Sequence, residues 1–137
     1  MASRQFPFTP ARTADLEVGD FWAVQLTDGR FGCYQVTDVR RSGPLSRAAF
    51  YAGIVDWTGA QPPSADDILG RDLLTQGLTP LAVFTKGGAK VIGNGSVAGP
   101  PLDGDNLFQG SSSGVSRVWG WQAVVGAAER ALAARSP

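Results

Sequence analysis

The chain has no histidine and a single cysteine among its 137 residues. Without an imidazole there is no Ser-His or Cys-His nucleophile pair, and the usual general base near neutral pH is missing. The commonest transition-metal ligand is missing too, and one thiol cannot build a structural zinc site. Cys33 has no partner in the chain for a disulfide. Set in an apolar, alternating stretch, it reads as a packed thiol suited to a reducing cytoplasm. No run approaches the ~18 apolar residues of a membrane-crossing helix. The start, Met1 to Phe8, lacks the apolar core of a signal peptide, so a cytoplasmic location is expected. Charge of neither sign dominates: twelve basic residues stand against twelve acidic ones. That excludes a long basic platform, so neither nucleic acid nor a membrane is expected as a partner.

What is present is glycine, proline and short apolar runs. Eighteen glycines and nine prolines lie scattered between those runs, which favours a turn-rich β fold over a helical bundle. The length suits one domain. It is divided into a loose arm (1–14), a β-rich body (15–118) and a closing helix (119–135).

The clearest segment is 17–39. From Phe21 to Leu26, Trp22, Val24 and Leu26 share one face, and Phe21, Ala23 and Gln25 the other. Asp28-Gly29 marks a hairpin turn, because glycine tolerates positive φ. On the return strand Tyr34 and Val36 oppose Phe31 and Cys33. Residues 48–57 read as a third strand with two apolar faces, Phe50, Ala52 and Ile54 against Tyr51, Val55 and Trp57, and with a bulge or close approach at Gly53.

Ser64 caps a short helix reaching towards Leu74, with Asp66 and Asp67 in the first turn where the helix dipole favours acid. Asp67 also stands where a capping box places its acid. Segments 78–85 and 90–93 read as a second hairpin turning at Gly87-Gly88. Residues 94–114 read as loop, and 115–118 as a last short strand. In the closing helix, Trp121, Val124, Val125, Ala128 and Leu132 recur at the spacing of one buried face. The expected architecture is α+β: a strongly bent antiparallel sheet, or a small SH3-like barrel, of about five to six strands. A short middle helix and a C-terminal amphipathic helix complete it.

No catalytic set emerges. Residues 102–107 begin like a calcium loop but lack its sixth-position glycine and its final glutamate. The glycine-rich runs lack the Lys-Ser/Thr of a phosphate loop. Nothing brings Glu17 and Asp56 together as paired carboxylates. No metal or other cofactor is expected. Arg40, Arg41 and Arg47 form either a solvated loop or a binding patch. Trp57 either covers the end of the sheet or anchors a partner.

The segment Val18 to Val39, with its Gly-Asp-aromatic start, Gly turn and aromatic-Gly return, resembles the opening motif of the immunity protein 26 family of bacterial polymorphic-toxin systems. Pro80 to Gly93 resembles that family's second hairpin. The resemblance implies a non-enzymatic inhibitor that binds a cognate toxin protein. Arg40, Arg41, Arg47, Trp57, Asp66 and Asp67 are then the candidate partner-binding residues. The second reading is a small β-barrel domain that binds another protein or a small ligand, and an enzyme ranks third.

Overall fold

The computed structural model describes residues 5–39, 47–97, 115–118 (backbone alone) and 124–134. Six strands form one sheet: β1 (Asp20–Gln25), β2 (Phe31–Asp38), β3 (Ala49–Val55), β4 (Leu73–Pro80), β5 (Gly93–Asn94) and β6 (Val115–Val118). Their order is β5-β1-β2-β3-β4-β6, so the sheet has two edges and does not close into a barrel. The first five are antiparallel neighbours, and β6 joins β4 in parallel. Two one-turn helices, α1 (Ala65–Ile68) and α2 (Ala82–Thr85), and the longer α3 (Val124–Ala134) complete an α+β fold with a bent sheet.

The first hairpin follows from its sequence. Gly29 takes φ +90°, the Leu26 N–H donates to the Arg30 carbonyl at 2.7 Å, and Gly29 N–H donates to the Leu26 carbonyl at 3.0 Å. The Asp28 carboxylate accepts from the Arg30 backbone and side chain (3.0 and 2.8 Å), closing the tip. This turn sets Trp22 against Tyr34 and Val24 against Gly32, and alternation sorts the side chains as expected.

On the first face a buried cluster gathers Trp22, Val24, Leu26, Tyr34, Val36, Phe50, Ala52 and Ile54. Trp22 stacks on Tyr34 (centroids 5.1 Å apart) and meets Phe84 edge-on at 5.0 Å. The Trp22 indole N–H has no hydrogen-bond partner among the described residues, a cost of about 1–3 kcal/mol that the surrounding aromatic packing has to offset. On the second face Phe21, Cys33, Val55, Trp57 and Ile68 form a smaller cluster.

The helix α3 lies on the first face through Ala127, Ala128 and Leu132. Two polar contacts fix it. The Tyr34 hydroxyl donates to the Val124 carbonyl at 2.6 Å, and Glu129 accepts from the Thr27 N–H at 3.0 Å and from its hydroxyl. Trp119, Trp121 and Arg135 of the expected helix lie outside the described residues. In the N-terminal segment Phe8 exchanges two backbone bonds with Val91 (3.0 and 2.9 Å) and packs against the first cluster.

Two expectations are corrected. The helix expected to run towards Leu74 stops at Ile68: Gly70 takes φ +76°, and Leu73 already pairs with Val55 in the sheet. The second hairpin does not form. Residues 78–80 end β4, and Ala82–Thr85 is a helical turn. Val83 and Phe84 are neighbours in sequence yet both buried in the first cluster, which a strand cannot achieve because successive side chains point to opposite faces. The chain then pairs through β5 with β1. The strand β3 passes Gly53 in register, between Gln35 and Gln76, and the register shifts fall at Thr37 on β2 and Leu74 on β4. Of the two alternatives at Gly53, the close approach is the one that forms: an added Cβ would stand 3.0 Å from side-chain carbons of both Gln76 and Leu73.

Candidate partner-binding site

One corner of the sheet is built by the turn Val18-Gly19-Asp20 and the return of the chain at β5. Gly19 takes φ +98°, and a Cβ there would lie 2.4 Å from the Gly95 carbonyl oxygen, so only glycine fits. The Asp20 side chain is fully buried. Its carboxylate accepts from the Glu17 N–H at 2.9 Å and from the Asn94 amide at 2.9 Å. Gln35, also buried, donates its amide to the carbonyls of Gly19 (3.2 Å) and Gly95 (3.0 Å). The buried Asp20 carboxylate and the buried Gln35 amide each find their partners in these bonds, which clasp β5 to β1 and β2.

Against this clasp sits α1. Gly95 faces Ala65, whose methyl would be 3.7 Å from an added Cβ. The turn is stapled by reciprocal bonds: Ser64 N–H donates to the Asp67 carboxylate at 2.9 Å, and Asp67 N–H donates to the Ser64 hydroxyl at 3.3 Å. Ile68 anchors it below in the second cluster. Above, Asp66 and Asp67 are exposed, as is Leu69, at 63%. Val18, at the edge of the clasp, is 49% exposed. Leu69, Asp66 and Asp67 therefore face solvent on α1, and Val18 faces solvent on the clasp that α1 packs against.

The candidate residues are not gathered into one patch. Asp66 and Asp67 are together, with Asp67 partly committed to capping. Trp57 is buried, 8% exposed, and its indole lies across Gly59, where a Cβ would meet it at 2.5 Å. It roofs the second cluster, which is the covering role of its two expected alternatives. Arg47 is exposed at the opposite end of β3, separated from Trp57 by a seven-residue strand of roughly 20 Å. Arg40 and Arg41 lie outside the described residues. Sequence reasoning missed Val18 and Leu69. The signal for Leu69 was slight: a leucine next to a glycine at the end of a turn whose buried position Ile68 already fills.

Chemically the corner offers contact. Cys33 is buried, its thiol pushed well above the ordinary range by loss of solvation, and its S–H points to the Tyr34 carbonyl at 3.5 Å. It stays protonated and inert. Burial likewise raises the Tyr34 hydroxyl. No group of three or more metal-ligating side chains gathers among the described residues. Among the same residues no helix is long and apolar enough to cross a membrane. Compared with family models, characterised proteins and solved structures, the chain matches none of them.

Proposed function

We propose that this chain is a non-enzymatic, immunity-type protein that binds a cognate bacterial toxin and neutralises it in the cytoplasm of the producing cell. The observation that carries this reading is the corner of Val18, Asp66, Asp67 and Leu69. Leu69 stands exposed beside Asp66 and Asp67 on a turn that packing and capping hold in place, and Val18 is exposed at the edge of the clasp against which that turn sits. Apolar anchors with a polar rim suit a protein partner, and a pre-ordered turn loses little entropy on binding. The resemblance of residues 18–39 to the immunity protein 26 motif adds support. Residues 80–93 no longer do, because Ala82–Thr85 is a helical turn where that motif has a strand of its hairpin.

The test is co-expression of tagged protein with the product of the neighbouring open reading frame. Recovery of a 1:1 complex and rescue of growth are expected. Leu69→Asp is then expected to weaken binding at least tenfold, about 1.4 kcal/mol, with an unchanged circular dichroism spectrum. A harmless neighbour and no complex would overturn the proposal and favour a small β domain with another protein or small-molecule ligand. Unchanged affinity in Leu69→Asp would move the interface elsewhere, with Arg47 the next residue to replace.

A further inference from the structure

No further inference is drawn: the strongest candidate, the pair of buried and unpartnered oxygens Thr37 Oγ1 and Gln76 Oε1 on the strands flanking β3, rests on two side chains with nothing in the structure to say what would bind them.

Discussion

Both faces of the sheet are apolar, yet different parts of the chain close them. The first face holds fifteen buried residues of the described chain. It is sealed by Leu16, just ahead of β1, and by elements remote in sequence: the α2 pair Val83 and Phe84, Val91, and α3. The second holds five, and much of its cover is Trp57 and Ile68, from the segment that directly follows β3. A face sealed by distant elements cannot open without undoing the fold. A face covered by an adjacent segment can loosen by itself, in the manner of a low-stability local unit. The proposed binding corner stands on that second, more local cover.

The sharpest way to break this comparison is Phe84→Ala. Removing the ring leaves a cavity beside Trp22 and Phe50 and is expected to cost about 3–5 kcal/mol in urea unfolding. A loss below about 1 kcal/mol would mean that the aromatic cluster does not dominate stability. Ile68→Ala comes next, at about 2 kcal/mol, with a distinctive pattern. Amide exchange should quicken at Asp67 and Trp57 while Ala52 and Ile54 on β3 stay protected. Uniform quickening would show that the two faces melt as one.

The smallest effect concerns the bond between α3 and the hairpin tip. The Thr27 hydroxyl and backbone N–H hold the Glu129 carboxyl below its usual range. A group lowered on folding stabilises the native state above its unfolded value, and that contribution disappears as pH falls through the folded value. Thr27 amide protection should therefore persist through the ordinary glutamate range and fade only below it. In Thr27→Val, Glu129 should titrate closer to an ordinary glutamate. The same low titration in that variant would assign the shift to another cause.

Much of this arrangement was legible in the residues. Within each strand, alternation set Trp22 opposite Phe21, Tyr34 opposite Cys33 and Phe50 opposite Val55, because a pleated strand permits no other sorting. Which of these faces coincide follows from the pairing register. The Asp28-Gly29 turn, the Ser64 cap and the buried stripe of α3 were legible because each is a local rule acting on neighbouring residues. The part missed was β4. Its sequence Leu-Leu-Thr-Gln-Gly-Leu-Thr-Pro is half-buried along most of its length and carries no clean period. Its pairing with β3 is imposed by tertiary contact. Once β4 was misplaced, Leu81 to Phe84 passed for a strand, since a short apolar run has no period that separates strand from helical turn. The corner was only half visible. Asp66 and Asp67 announced themselves as capping acids, but the exposure of Val18 and Leu69 depends on how β5 and α1 meet.

The clasp between Asp20 and Asn94 joins residues 74 positions apart and has a topological consequence. The chain up to Leu69 supplies a three-strand meander, β1-β2-β3. Described elements after Gly70 return to embrace it: β4 on one edge, β5 on the other, and α3 across the first face. The two halves are therefore interlocked, and the first core is shared between them, Trp22 and Phe50 from one, Phe84 and Leu132 from the other. Severing the exposed Leu69–Gly70 link would leave two complementary fragments, each holding half of a core and neither able to fill it alone.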